Sequence, residues 1–434
     1  MASNDASEVI RVADLRVDPR TGELFTATTR VALPRKVADL LVALATCPGE
    51  LVAREELYRR LWKGLAADYA KGLDTAVKNL RKAFLRAGVA GVSIETLPRR
   101  GYRLVIADGS AQSGRLSPAC EADRLYLEGY HCWHKRTPSS IRNALNFFRQ
   151  ARDLDPRGAR HHSAIAVTHL LLASTGDELP VELLSEAESA ALEAIRLDHS
   201  DVTAYCVLGY IKGAFEYDLR HAIHDLARAV EMNPDVALSY IPYSYVLCAA
   251  GRFNEAREAL EKARSLDPVS PTVNALLGFA AYLARDFDGA LKLGRETLEF
   301  DPEFGLAHFY HGQPLLATGR FKEAIRHFEN AVELLAGEAP ARALLGVACA
   351  LAGKTDRANE IDQQLDALAD SGYADPYHRA ILKHTLGFDD RATGLLEVAS
   401  NCHCHWFALA AIDPKLDQFR DKACLKALLS RLRI

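Results

Sequence analysis

GRFNEA at residues 251–256 returns as RDFDGA at 285–290, GRFKEA at 319–324 and GKTDRA at 353–358. The final alanine of this phrase belongs to a longer series, whose last four spacings are 34 residues: Ala144, Ala187, Ala222, Ala256, Ala290, Ala324 and Ala358. Asp-Pro or Asn-Pro pairs recur between the phrases, at 155–156, 233–234, 267–268 and 301–302. A fixed period of this length indicates one supersecondary unit stacked many times.

The period and its residues resemble the tetratricopeptide repeat, in which about 34 residues form two antiparallel helices. Alanine is needed where helices approach closely, and proline marks where the second helix must stop. Seven repeats are predicted over 121–371, with a degenerate eighth pair from 377 to 399. A capping helix is expected over 413–432, because a solenoid needs a polar-faced end.

The concave groove of such a solenoid is the default site for a peptide, a protein or a small ligand. Candidate groove residues lie on the first helix of each repeat: Tyr205, Tyr240, Tyr243, Asn274, His308 and Phe309. Aromatic side chains at such positions are more often core residues than ligand contacts. The groove assignment therefore stays open between packing and binding.

Length and charge indicate two parts of different character. A chain of 434 residues is too long for one ordinary core. Residues 1–106 hold 18 Lys/Arg and 12 Asp/Glu, and the net charge of −4 for the whole chain leaves −10 for the remainder. A basic N-terminal domain on an acidic body suggests a nucleic-acid reader joined to another module.

The sequence predicts a cytoplasmic protein. No apolar run approaches the roughly 20 residues that span a bilayer, and the start lacks the basic and apolar regions of a signal peptide. The nine scattered cysteines are expected to be reduced thiols, most of them in the core.

Residues 71–88, KGLDTAVKNLRKAFLRAG, predict an amphipathic helix. Its apolar residues recur at three- and four-residue steps and share one face: Leu73, Val77, Leu80 and Phe84. The opposite face collects Lys71, Thr75, Lys78, Asn79, Lys82 and Arg86. Lysine neutralises phosphates and asparagine pairs bidentately with adenine, so this face suits a DNA groove. A solvated charged face is the alternative.

The surrounding residues supply the other elements of a small domain. Strand-like segments at 9–17 and 23–31 predict an antiparallel sheet. A first helix is expected to start at Pro34, and a second to run from Arg54 to Trp62. A hairpin with Arg99-Arg100-Gly101 at its turn closes the domain and places two more cations beside the third helix.

This order of strands, three helices and a terminal hairpin resembles the winged helix-turn-helix domain of OmpR/PhoB-type bacterial regulators. The matching phrases are VALPRKVADLLVALATCPGELVAREELYRRLW at 31–62, DTAVKNLRKAF at 74–84 and ETLPRRGYRLV at 95–105. The resemblance implies that the third helix enters the major groove and that the wing reaches the adjacent minor groove. The expected DNA-binding residues are Lys71, Thr75, Lys78, Asn79, Arg81, Lys82, Arg99 and Arg100. Arg81 would lie at the groove edge on a phosphate.

The same resemblance implies partners. Double-stranded promoter DNA is expected, and a homodimer on direct repeats is plausible. The loop after the second helix, here residues 63–71 with Asp68 and Tyr69, is where some relatives contact RNA polymerase. Pro98 stands where many relatives carry a wing arginine, so the minor-groove contact differs at that position.

Residues 107–122 predict a short linker of turn formers between a domain at 1–106 and a repeat array at 123–434. No phosphate-receiving domain is expected ahead of the winged domain, and no membrane helix after it. The combination resembles cytoplasmic regulators of the HilA kind. That resemblance implies activation of transcription, including that of virulence or host-interaction genes.

Two Cys/His clusters are candidates for metal binding. In Asn401-Cys402-His403-Cys404-His405-Trp406, alternate side chains of an extended segment would point in opposite directions, so one ion cannot easily collect all four. A loop joining two helices is the favoured interpretation. In His131-Cys132-Trp133-His134, helix packing by Cys132 and Trp133 is favoured. No phosphate-binding loop or nucleophile elbow occurs, so neither cofactor, metal nor enzyme activity is expected.

The sequence therefore predicts a mainly α-helical chain, with an α+β winged helix-turn-helix followed by an α-helical tetratricopeptide solenoid and a C-terminal capping helix. Its predicted function is sequence-specific regulation of transcription at the nucleoid, as an activator. The array would sense a protein, peptide or small ligand, or mediate self-association. The alternative is an interaction scaffold whose winged domain contacts protein rather than DNA.

Overall fold

The structure is a computed structural model that describes residues 10–12, 15–18, 23–25, 30–45, 49, 51–54, 57, 69–87, 89, 92–97, 100–106, 118–134, 136–176, 178–268, 270–420 and 423–433. The chain divides into two compact units, Met1–Cys120 and Glu121–Ile434. The division falls inside the stretch 107–122 that the sequence assigns to a linker. A helix begins within that stretch, at Pro118.

Two antiparallel sheets and two described helices form the N-terminal unit. The first sheet has the order β1-β2-β3-β4, and the second has the order β5-β7-β6. The first sheet's strands are β1 Ile10–Val12, β2 Leu15–Asp18, β3 Glu23–Phe25 and β4 Arg30–Ala32; the elements that follow are α1 Arg35–Ala45, β5 Leu51–Ala53, α2 Tyr69–Arg86, β6 Val92–Leu97 and β7 Gly101–Ile106. The second predicted helix lies largely outside the described residues, so α2 is the third helix of the sequence prediction.

Periodic apolar positions produce the core of this unit. On α1, Val37, Leu40, Leu41 and Leu44 are buried. On α2, the predicted apolar face of Leu73, Val77, Leu80 and Phe84 is buried as well. Helix α2 packs against α1 and β6, with its apolar face inward. Pro34 is exposed one residue ahead of α1, where its missing N–H costs little.

Gly101 allows β7 to lie between β5 and β6. A Cβ on this residue would lie 2.0 Å from the backbone oxygen of Val52, and its φ of +155° is one that L side chains rarely adopt. Ala53 pairs with Gly101 on one side, and Leu97 pairs with it on the other. The glycine therefore sets the register of the wing hairpin against β5.

Eight helical hairpins make up the repeat array in the described part of the chain, and they confirm the predicted solenoid. They are α3 Pro118–His134 with α4 Pro138–Leu154, α5 Ala159–Thr175 with α6 Pro180–Leu197, α7 Val202–Tyr210 with α8 Leu219–Met232, α9 Tyr240–Ala249 with α10 Phe253–Leu266, α11 Pro271–Leu283 with α12 Phe287–Phe300, α13 Gly305–Ala317 with α14 Phe321–Leu334, α15 Ala339–Leu351 with α16 Thr355–Ser371, and α17 Pro376–Thr385 with α18 Asp389–Asn401.

The alanine series marks where the helices of a pair approach most closely. Its seven members, from Ala144 to Ala358, are each at most 1% exposed. Small residues on the first helix also allow the two helices of a pair to approach closely. A Cβ on Gly312, for example, would lie 2.7 Å from the ring of Phe328 on the second helix. Second helices end before the predicted proline pairs, as α12 does at Phe300, ahead of Asp301-Pro302.

The C-terminal residues differ from the single capping helix expected over 413–432. Residues 402–420, here named the inner segment, form two short 3-10 helices, His405–Leu409 and Pro414–Leu416. Helix α19 follows at Ala423–Leu429. Phe407, Leu409, Leu416 and Phe419 are each at most 1% exposed. The inner segment packs against residues of several repeats, and this burial replaces the expected helix.

The array also contacts itself across a long sequence separation. The backbone N–H of Asp375, just ahead of α17, donates to the carbonyl of Gly176 at 2.9 Å. Gly176 ends α5 with a φ of +80°. The second hairpin therefore lies beside the start of the eighth.

Substitution at the alanine series tests this close packing. Ala256→Leu on α10 should lower the free energy of unfolding by about 1–3 kcal/mol, because the added methyl groups meet the facing helix. Glu258→Leu is the matched control, since residue 258 is exposed on the same helix. Urea denaturation followed by circular dichroism measures both. Equal effects of the two substitutions would contradict the packing role.

Candidate nucleic-acid interface and the interior of the array

One face of α2 carries polar side chains without partners. Lys78, Asn79 and Lys82 are exposed, and within the described part of the chain their side chains make no hydrogen bond or ion pair. Thr75 is also exposed on this helix. Because the opposite face is buried in the core, the side chains of Lys78, Asn79 and Lys82 are held at the surface of the domain and remain free to contact phosphates and base edges.

Arg81 is engaged within the domain. Its Nη2 donates to the carbonyl of Ile94 at 2.7 Å and to the Oγ1 of Thr96 at 2.7 Å, and its Nε donates to the same carbonyl at 3.2 Å. These bonds join α2 to β6, the first strand of the wing. The sequence prediction gave Arg81 a phosphate contact; in the structure its side chain connects the helix to the wing.

The wing is anchored by a second arginine. The Nη1 of Arg54 donates to the phenol of the buried Tyr102 at 2.9 Å, and its guanidinium lies 5.4 Å from the centre of that ring. Arg103 on the central strand β7 lies 3.6 Å from Glu95 on the neighbouring strand β6. Arg100 is exposed at the turn that leads into β7. Side chains beside the turn are thus engaged within the domain, and Arg100 is exposed at the turn itself.

Parts of the predicted interface lie outside the described residues. Arg99, Pro98 and most of the loop at 63–71, including Asp68, are not described. Lys71 lies within α2, but its side chain is not described.

The six predicted groove residues have different surroundings. Phe309 is 2% exposed and contacts Trp406 of the inner segment, at 5.8 Å between ring centres. Tyr240 donates to the carbonyl of Pro234 at 2.9 Å, and Asn274 donates to that of Ser270 at 3.0 Å. His308 bonds to the carbonyl of Pro302 and to His327. The remaining two, Tyr205 and Tyr243, are partly buried and pack on the core.

A cavity of about 260 Å³ lies within the array. Successive repeats contribute Tyr210, Tyr245, Phe279 and Tyr310 to its wall, and the inner segment contributes Trp406. Phe309 also lines it, whereas the other five predicted groove residues do not.

The sequence contains a signal for these wall positions that the prediction missed. Tyr210, Tyr245 and Phe279 follow one another at spacings of 35 and 34 residues. They occupy equivalent positions on the first helices of successive repeats. Phe309 is the one predicted groove residue that lines the cavity; the other five lie on first helices but outside the cavity wall.

A buried polar cluster fixes the inner segment. Asp413, 1% exposed, accepts hydrogen bonds from Tyr377 at 2.8 Å and from Tyr282 at 3.3 Å. The Nζ of Lys415 lies 2.9 Å from Asp413 and donates to the amide oxygen of Gln313 at 2.7 Å. Burial alone would raise the pKa of Asp413, but the charge and hydrogen bonds of Lys415 outweigh it and lower that pKa. Two hairpins therefore bond directly to the carboxylate of Asp413, and a third is connected to it through Lys415.

Backbone carbonyls of the inner segment are bound as well. Tyr245 donates to the carbonyl of His405 at 2.6 Å, and Tyr217 donates to that of Cys404 at 3.0 Å. The side chains of Arg285 and Asp417 form a bidentate ion pair, with Nη1 to Oδ2 at 2.6 Å and Nη2 to Oδ1 at 2.7 Å.

The four side chains of the Cys/His motif at 402–405 each contact a different residue. Cys402 lies 3.6 Å from the phenol of Tyr373, and Cys404 donates to Asp375 at 3.2 Å. The Nδ1 of His403 donates to the carbonyl of Phe215 at 2.8 Å, and the His405 ring packs by Trp406. Across the described ranges, no three His, Cys, Asp or Glu side chains are arranged to hold a metal ion. In the other cluster, Trp133 is buried in the core, with Cys132 packed against it.

Comparison with known proteins supports the division into two modules. Residues 28–104 match the family "Transcriptional regulatory protein, C terminal". The transcriptional regulator HilA of Salmonella typhimurium is 26% identical over 177 residues, which are 41% of this chain and 32% of HilA. The transcriptional regulatory protein TcrA of Mycobacterium tuberculosis is 33% identical over 96 residues, 22% of this chain and 37% of TcrA. Human tetratricopeptide repeat protein 34 is 26% identical over 248 residues, 52% of this chain and 39% of that protein.

The chain thus spans about a third of the length of HilA. Residues 28–104 are an OmpR/PhoB-type DNA-binding domain of transcriptional regulators, and tetratricopeptide-like repeats follow it. No helix in the described ranges is long and apolar enough to cross a membrane.

The histidines around His308 predict a dependence of stability on pH. Burial lowers the pKa of His327 to about 3 and that of His311 to about 4. Both values lie below the pKa of about 6.5 that a histidine has in the unfolded chain. At a pH between the folded and unfolded pKa values, the unfolded chain therefore binds more protons than the folded chain. Stability should be fully present above about pH 6.5 and should decline as the pH falls from there towards 3.

Thermal melts of the full chain between pH 7.5 and 5 measure this loss. His327→Gln should make the melting temperature fall less over that range. His224→Gln, at an exposed histidine, should leave the slope unchanged. A slope that His327→Gln leaves unaltered would refute the assignment.

Proposed function

We propose that this chain is a sequence-specific transcription regulator that binds promoter DNA through α2 and the wing. The observation that carries the proposal is the exposed face of Lys78, Asn79 and Lys82, on a helix whose other face is buried. The match of residues 28–104 to a regulator family supports it. In this proposal Asn79 reads an adenine edge and the lysines neutralise phosphates.

The wing would contact the neighbouring minor groove through Arg99 and Arg100. Arg81 supports this arrangement indirectly, because its bonds to β6 hold the wing against the reading helix. A helix and a wing joined in this way can bind two grooves without reordering, which lowers the entropic cost of association.

The remaining assignments extend this proposal. The regulator would act as an activator in the cytoplasm, at the nucleoid, and the loop at 63–71 would contact RNA polymerase. Two copies would bind direct repeats side by side. The repeat array would bind a signal molecule or a partner and change DNA affinity by favouring one arrangement of the chain. The alternative is an interaction scaffold, which the tetratricopeptide-like array favours, with the winged domain contacting protein.

Salt dependence separates the two functions. For a DNA reader, the logarithm of the affinity of the full chain for random duplex DNA should fall linearly with the logarithm of salt concentration, by about 0.9 per phosphate contacted. Replacing both Lys78 and Lys82 by alanine should reduce that slope by about two. Lys322→Ala, at an exposed lysine of the array, should leave the slope unchanged. Affinity that does not respond to salt would favour the scaffold.

Base reading is tested at Asn79. Asn79→Ala should reduce discrimination between selected and random duplexes by about 1–3 kcal/mol, while non-specific binding is retained. Selection of bound duplexes from a random pool, followed by competition binding, measures this. Undiminished discrimination would exclude α2 as the reader of sequence.

A further inference from the structure

The cavity within the array has a mainly apolar wall that includes one cation, Arg136, and one carboxylate, Glu338. Its lining is dominated by aromatic and aliphatic side chains, among them Trp133, Phe279 and Trp406. Arg136, in the turn between α3 and α4, reaches this wall from the first repeat. An apolar cavity that meets a few polar groups is the usual form of a small-molecule site.

Arg136 has no anionic partner within the described ranges. Its guanidinium lies 5.5 Å from the centre of the Trp133 ring, and its Nε is buried without a hydrogen bond. Its backbone has a φ of +57°, a left-handed conformation that a non-glycine residue seldom adopts. Strain of this kind persists only where the surrounding structure enforces it, and it is concentrated at ligand sites.

Two further groups of the cavity wall can donate a hydrogen bond to an acceptor on a ligand. The indole N–H of Trp406, which is 6% exposed, has no acceptor within the described part of the chain. Burial raises the pKa of the Tyr310 phenol, although the charge of Arg136 opposes that shift, so the phenol keeps its proton and can donate it in a hydrogen bond. A buried donor left unsatisfied is costly, and an acceptor group on a ligand would remove that cost.

We propose that this cavity binds a small apolar monocarboxylate, with its carboxylate on Arg136 and its hydrocarbon body against Phe279 and Trp406. A guanidinium without a partner favours a carboxylate, because two parallel N–H donors match its two oxygens. A cationic ligand would be repelled by Arg136, and a neutral one would leave the guanidinium unpaired.

The cavity volume limits the size of the ligand. A cavity of about 150 Å³ already accommodates benzene, so about 260 Å³ fits a body of roughly ten non-hydrogen atoms. Octanoate has this size and is the probe of choice. Octanol and octylammonium share its chain and differ in the head group.

The proposal names the ligand of the array and therefore rests on the sensing half of the proposed function. Because His405 and Trp406 of the inner segment form part of the wall, an occupant would contact the segment that joins distant repeats. Binding of octanoate can be measured without DNA, so its failure would leave the DNA-binding half untouched.

Calorimetric titration of the full chain with the three probes is the first experiment. Octanoate should bind at one site, about tenfold or more tightly than octanol, and octylammonium should bind most weakly. Arg136→Gln should remove the preference for octanoate. Arg142→Gln is the matched control, since Arg142 pairs with Glu178 on the surface and does not line the cavity.

Tryptophan fluorescence locates the ligand. The chain has three tryptophans, and two of them, Trp133 and Trp406, line the cavity. In the Trp62→Phe variant all emission comes from these two, and octanoate with a terminal bromine should quench it. Leu276→Trp, which fills the cavity, should abolish octanoate binding in the calorimeter.

The titrations and the quenching experiment can each support or overturn the proposed carboxylate site. A preference for octanoate that depends on Arg136, together with quenching, would support it. No binding of octanoate to the folded wild-type chain would overturn it, and so would equal affinity for octanol. The head-group series uses only the unaltered chain, so it remains decisive if a variant fails to fold.

Discussion

The close approach of paired helices at alanine is the constraint on which the array depends. Each alanine of the series from 144 to 358 is at most 1% exposed, because the facing helix leaves room for a methyl group and no more. With that distance fixed, the eight hairpins of the described residues stack one on the next into a single array. The aromatic side chains at equivalent positions on the first helices then converge on one interior.

That interior is occupied in part by the chain's own C-terminal residues. Asp413, Lys415 and Gln313 form a buried polar cluster, and Tyr282 and Tyr377 complete it. Removing Asp413 or Lys415 would leave a buried charge without its partner, which is among the costlier changes in a protein core. The inner segment therefore makes repeats distant in sequence depend on one another, whereas a simple solenoid couples only neighbours.

In the N-terminal unit, the corresponding constraint is the connection of α2 to the wing. Arg81 bonds to Ile94 and Thr96, and Gly101 lets β7 approach Val52 without a clash. These contacts hold the free face of Lys78, Asn79 and Lys82 in a defined direction beside the hairpin. The two modules thus have different chemistry: one exposes unpaired cations, and the other contains a mainly apolar cavity whose lining includes one guanidinium, that of Arg136.

The sequence by itself determined the two modules, the 34-residue hairpins and the buried and exposed faces of α2, because periodicity records which side of a helix meets a neighbour. It did not determine the engagement of Arg81, the path of the inner segment or the cavity at Arg136. Each of these depends on residues far apart in the chain, such as Arg285 and Asp417 or Gln313 and Lys415. Local patterns predict which face is apolar, but only the tertiary structure decides which distant residue covers it.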